Sequence, residues 1–155
     1  MDVGGTLYDV TFLDGTCTAL FDGCDDASDF VFDEASALTA ANALLDQVFI
    51  DGPLGSFDMD PELTAGCDNV VCGVLIPYAI FSTSGVRAVR ALNTSTSDSA
   101  GLTTISQSSN TSNSSAFNWA SFSEANTAAV PLPAAGWAMF AAIGALTVIR
   151  RRARS

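Results

Sequence analysis

Four cysteines in two tight pairs, Cys17 with Cys24 and Cys67 with Cys72, constrain the fold of this chain more than any other feature. Four cysteines admit three pairings. The adjacent pairing closes two short loops, and each restricts the unfolded chain enough to stabilise a small domain by about 2–3 kcal/mol. A zinc site built from all four is the rival reading, but C-x6-C and C-x4-C spacings fit the short knuckles of such sites poorly. Free thiols are the third reading. Disulfides imply an oxidising, extracytoplasmic compartment.

The chain has 155 residues, which allows one domain with tails. It contains no histidine and no lysine. Histidine-based triads and dyads, zinc-protease helices, the P-loop lysine and Schiff-base lysines are therefore excluded. The formal net charge is −11, with Arg150, Arg151, Arg152 and Arg154 at the C-terminal end. Ahead of them only Arg87 and Arg90 oppose 17 acids, so residues 1–149 carry −15. Such a surface repels phosphate backbones, so no nucleic-acid partner is expected, and the acidity serves solubility.

Several elements follow from pattern. Residues 5–13, GTLYDVTFL, read as a strand with Tyr8, Val10 and Phe12 on one face. Residues 16–29 form a cysteine-bracketed acidic loop with Asp22, Asp25, Asp26 and Asp29, and DFVF after it reads as a short second strand. Asp33 caps a helix running to about Phe49, with Glu34 in its first turn. Leu38, Ala41, Leu45, Val48 and Phe49 give that helix its apolar stripe. Asp60-Pro61-Glu62 reads as the cap and first turn of a short helix. A calcium loop is the rival, because Asp58, Asp60 and Glu62 have 1-3-5 spacing, but Leu63 and Asn69 stand where Gly and a bidentate Glu are needed. Residues 70–81 are apolar nearly throughout and hold Pro77, which predicts a buried strand bulged near the proline. Residues 85–92 pair with it as a hairpin. Arg87 and Arg90 do not share a face in strict alternation, so the register stays open.

Residues 93–115 change character: fourteen of the 23 are Ser or Thr. Such a Ser/Thr/Asn-rich segment buries too little to order itself unless it makes an edge strand. Its N-x-S/T triplets at Asn93, Asn110 and Asn113 are consistent with glycosylation or with chance, and chance is preferred in so biased a tract. A strand at 116–122 is expected to complete the domain with Phe117 and Trp119. The resulting fold class is α+β: a small disulfide-pinned ectodomain over 1–92 with a few antiparallel strands and one main helix, then the 93–115 segment, then a C-terminal transmembrane helix. The core is small enough for covalent staples to matter.

The C-terminal part, residues 123–155, has three adjacent pieces. Val130, Pro131, Leu132, Pro133 and Ala134 form a short Pro motif, 134–149 is an uncharged apolar span, and the arginines of 150–154 follow. The 20 residues from Val130 to Ile149 would span roughly 30 Å as a helix, matching a bilayer core. This order resembles the C-terminal sorting signals of the PEP-CTERM class, in the variant named VPLPA-CTERM. The opening VGGTLYDVTF is also similar to the mature start of many such proteins. The resemblance implies a secreted protein of a Gram-negative bacterium whose motif is recognised and cut by a cysteine-dependent exosortase in the membrane. It makes Val130 to Ala134 the recognition motif and Arg150, Arg151, Arg152 and Arg154 the cytoplasmic stop. It also implies association with exopolysaccharide, biofilm and the cell surface.

The expected function is that of an exported, non-catalytic surface or matrix-associated protein without a cofactor or metal. Its expected partners are the exosortase, the membrane at the precursor stage, and exopolysaccharide. One alternative is a calcium- or glycan-binding adhesive module using the acidic loops. Another is a small carboxylate-dependent glycoside hydrolase, with Asp22, Asp25, Asp58 and Asp60 as candidates, although nothing in the sequence selects a pair. The positive-inside bias places the arginines in the cytoplasm and everything before Val130 outside. Export of that part needs an N-terminal signal, and MDVGGTLYDVTF reads directly as a strand, so a signal peptide is expected upstream of Met1.

Overall fold

The apolar run around Pro77 becomes the central strand of a sheet, because it is the one segment apolar on both faces and both faces find cover. The computed structural model describes residues 1–125. Its strands are β1 (Asp2–Val3), β2 (Thr6–Leu13), β3 (Asp51–Gly52), β4 (Gly55–Ser56), β5 (Val71–Ser82), β6 (Gly85–Thr94), β7 (Ser99–Ser106) and β8 (Phe117–Glu124). Its helices are the single turn α1 (Cys17–Leu20) and the main helix α2 (Glu34–Gln47). Six strands form one sheet in the order β1-β2-β8-β5-β6-β7, and β3 with β4 makes a separate small hairpin. The fold is thus mixed α+β with one main helix. All pairs in the large sheet are antiparallel except β5 with β8, which is parallel. The chain reaches that parallel partner by leaving β7 at one edge and returning on the far side of β5.

The helix covers one face. Val74, Ile76 and Tyr78 of β5, Val89 and Ala91 of β6, and Ala120 and Phe122 of β8 pack with Ala37, Ala40, Ala41 and Leu44 of α2. Asp33 caps α2 as expected, its carboxylate accepting from the Ser36 N–H at 2.8 Å. The expected stripe holds in Ala41 and Phe49, which are buried, and in Leu45 and Val48, which pack against the same core, but Leu38 is exposed and Ala37, Ala40, Ala43 and Leu44 widen the buried face. Alanines on the sheet side let the helix axis approach closely, whereas hydrophobic periodicity weights leucine above alanine and so counts Leu38 in and Ala37, Ala40 and Ala43 out. The Tyr78 hydroxyl donates to Glu34 Oε2 at 3.0 Å and ties the helix start to β5.

The disulfide loop covers the opposite face. Leu75, Val86 and Trp119 pack with Phe30 and with the Cys17–Cys24 bridge. Phe21 meets Trp119 edge-to-face with ring centroids 5.7 Å apart, a favoured aromatic geometry. The Cys67–Cys72 bridge joins the helix-side core instead. Both bridges join sequence neighbours, as the adjacent pairing predicts, and no free cysteine remains among the described residues.

β2 carries Tyr8, Val10 and Phe12 against the helix-side core, and its partner face is exposed, as alternation requires. The β5–β6 hairpin has a register shift between Pro77 and Ala79, where proline cannot donate to the ladder. Two expectations change. DFVF is not a strand: Ala27–Asp29 is a 3-10 turn capped by Asp26, after which Phe30 joins one core cluster and Phe32 the other. Those two rings gain more by filling separate cores than the segment would gain by pairing. The 93–115 segment contains an edge strand, β7, registered against β6 from Gly85↔Ser106 to Leu92↔Ser99. Ladder pairing supplies what side-chain burial alone would not, with Ile105 and Ala100 packing on opposite faces. The strand expected at 116–122 is β8, between β2 and β5.

Among the described residues, no helix is long and apolar enough to cross a membrane. The expected transmembrane segment at 134–149 lies outside the described residues.

Candidate functional site

The segment from Val48 to Ala65 leaves the helix, turns through β3 and β4, and folds back over the end of β2. It encloses a groove of about 560 Å³, within the size range of small-molecule and apolar-group sites. Phe12 of β2 and Phe49 stack at 5.6 Å in its floor, with Phe57, Leu63 and Leu54 around them. No ionisable side chain lines it. Leu54, between β3 and β4, is 93% exposed.

The groove wall is held from beneath by two fully buried asparagines. Asn93 of β6 donates its amide to the Phe57 carbonyl at 2.7 Å, and Asn118 of β8 donates to the Ala65 carbonyl at 2.6 Å. Asp51 accepts from the Asp58 and Met59 N–H groups at 3.1 and 3.2 Å. The Cys67–Cys72 bridge closes the segment onto β5. Three buried oxygens beside this wall, Thr64 Oγ1, Asn93 Oδ1 and Asn118 Oδ1, have no hydrogen-bond partner among the described residues. Buried oxygens of this kind are ordinarily satisfied by internal water. Chemically, the groove can sequester an uncharged apolar group, with Gln47 and Thr64 as the polar side chains of its lining.

The four candidate carboxylates are not brought together. Asp22 and Asp25 stay in the disulfide loop, where Asp22 lines a 240 Å³ depression with Phe21 and Asp29. Asp22 and Cys24 take left-handed backbone conformations, φ 39° and 55°, to let that loop close. Asp29 is occupied by the Asp25 and Asp26 N–H groups, each at 3.0 Å. Asp26 accepts from the Ser28 N–H and hydroxyl, which holds its carboxyl below the usual carboxylate range. Asp26 and Asp29 thus spend lone pairs on the amides of their own loop. Asp58 and Asp60 sit beside the Pro61–Leu63 turn, whose first residue Pro61 is buried; Asp60 makes no side-chain cap bond there. Among the described residues, no group of three Cys, Asp or Glu side chains is placed to hold a metal ion.

A cleft that sequence reading passed over lies between Asp14 and Asp68, with Gly66, Asn113 and the serines at 112, 114 and 115, in a volume of about 370 Å³. Asp14 accepts from the Thr111 hydroxyl at 3.0 Å and presses on Gly66, where an added Cβ would lie 2.7 Å from its Oδ2. No motif links these residues; only the return of the chain into β8 joins them.

The glycosylation triplets separate by burial. Asn93 is 0% exposed and engaged with Phe57, so it cannot accept a glycan in the folded domain. Asn110 is exposed and accepts from the Ser112 N–H at 2.9 Å, and Asn113 is exposed. The sorting-motif residues Val130, Pro131, Leu132, Pro133 and Ala134, and the arginines at 150, 151, 152 and 154, lie outside the described residues. Comparison with protein-family models, with curated proteins and with solved structures finds no match to this chain.

Proposed function

We propose that this chain is an exported, non-catalytic protein of the cell surface or extracellular matrix, sorted and processed through residues 123–155 by an exosortase-type membrane enzyme. The observation that carries the reading is the order of the three parts: the VPLPA motif at 130–134, the uncharged apolar span at 134–149, and the arginines at 150–154. Prolines just outside a membrane keep the backbone extended for a processing enzyme. Arginines resist crossing and leave the motif on the outer side. The two buried disulfides of the described domain support the same compartment, since such bonds persist outside the reducing cytoplasm. The groove and the dispersed acids support a binding or structural role rather than bond-making chemistry.

The test is the C-terminus of the secreted product. In a bacterium carrying a VPLPA-type sorting system, mass spectrometry of extracellular protein should recover peptides up to Glu124 and none containing Arg154. Replacing Pro131 and Pro133 with Ala should leave the anchored precursor in the inner membrane. Recovery of Arg154 in the secreted protein would overturn the sorting role.

A further inference from the structure

We propose that β7 is a self-association edge, through which two copies of this chain join antiparallel about a twofold axis to continue the sheet from one copy into the other. β7 ends the six-stranded sheet, and no other described strand pairs with its outer side. Sheet edges are normally blunted by charge, proline, a bulge or extreme shortness. β7 has none of these: it is eight residues, SAGLTTIS, uncharged and proline-free, with an unbroken register against β6. The opposite edge differs, because β1 is two residues long and Asp2 and Asp9 place charge along it.

The direction of the free groups follows from two hydrogen bonds. The Gln107 N–H reaches inward to the Ser84 carbonyl at 3.0 Å, while the Ser106 carbonyl accepts from Ser109 and so points away from β6. Antiparallel strands alternate. The outward N–H groups therefore belong to Ala100, Leu102, Thr104 and Ser106. A register centred on Thr103 uses all four, setting Leu102 opposite Thr104 and Ala100 opposite Ser106 of the second copy.

The occupant is a second copy because of charge. The domain carries only Arg87 and Arg90 against its acids, so two copies repel wherever acids would meet. An uncharged edge is where that repulsion is least, and in this register Asp98 faces Ser108 and no acid faces an acid. A basic partner would gain nothing from so neutral a strand. Leu102, 59% exposed, would be covered in the pair.

Three variants of the full chain in mild detergent test this. By sedimentation, the unmodified chain should be a dimer at about 100 μM, a concentration that lies between the micromolar and millimolar affinities of a weak interface. Thr104→Pro removes an outward N–H that the fold does not use, and should give a monomer with an unchanged circular dichroism spectrum. Thr103→Cys places two thiols across a non-hydrogen-bonded pair, about 4.5 Å between Cα atoms, and should give a covalent dimer on oxidation. Thr11→Cys on exposed β2 should cross-link no faster than random collision. A monomeric unmodified chain, a Thr104→Pro variant that stays dimeric, or equal cross-linking at 103 and 11 would each overturn the proposal. Should Thr104→Pro fail to fold, the comparison of the two cysteine variants decides.

Discussion

The indole N–H of Trp119 donates to the Gly15 carbonyl at 3.1 Å, joining residues 104 apart in sequence. The bond fixes the entrance of the Cys17–Cys24 loop against the middle of the sheet, and the fully buried ring fills the space between them. Trp119→Phe keeps most of the apolar volume and removes one bond to a carbonyl that still accepts from the Thr111 N–H at 3.0 Å, and should destabilise the domain by about 0.5–1.5 kcal/mol. Trp119→Ala should cost about 3–5 kcal/mol. Urea denaturation midpoints of the two variants check both the order and the gap.

The disulfides should be local in the isolated protein. A non-reduced digest should yield peptides linked 17–24 and 67–72 and no crossed species. Replacing both Cys17 and Cys24 with Ser should lower stability by about 2–3 kcal/mol, and should expose the face that holds Trp119, read as a red shift of its fluorescence.

Asn93 tests the groove wall. Asn93→Ala leaves the Phe57 carbonyl unpaired in the interior and should cost about 1–3 kcal/mol. Because the lost bond holds the 57–65 segment, limited proteolysis should cut there first, well before the sheet is attacked. Cleavage at an unchanged rate would show that the Asn118 bond, Asp51 and the disulfide hold the wall without Asn93.

Asp33 sets a pH dependence. The Ser36 N–H lowers its folded pKa below the ordinary carboxylate value. Its contribution is therefore present above the unfolded pKa and lost as pH falls through the folded one. Asp33→Ala should lower the thermal midpoint at neutral pH, and that effect should shrink as pH falls below the ordinary aspartate pKa of about 3.9 and vanish once the folded carboxyl is protonated too. Asp33→Asn should retain part of the cap while removing this part of the acid sensitivity.

Gly73 tests the packing between β5 and β8. An added Cβ there would lie 2.7 Å from the Phe117 ring, so Gly73→Ala should destabilise by about 1–3 kcal/mol. Pairing it with Phe117→Leu should recover part of the loss, because the smaller side chain vacates the contact. Equal stability of the single and double variants would place the strain elsewhere.

Local and periodic features were legible in the residues themselves: the strand at Tyr8 to Phe12, the capped helix after Asp33, the hairpin bent at Pro77, and cysteines close enough in sequence to pair. Each rests on interactions among near neighbours, which spacing alone describes. What only the tertiary structure decided rests on partners far away in sequence. The alanines of α2 became its buried face because a sheet lay there to receive them. Phe30 and Phe32 left a strand-like pattern because two cores, one on each side of the sheet, were available. The tract after Thr94 became ordered because β6 offered it a full ladder. The groove exists because Asn93 and Asn118, 25 residues apart, reach the same segment from either side of β5. No local pattern encodes these outcomes, since each depends on which surfaces the folded chain brings into contact.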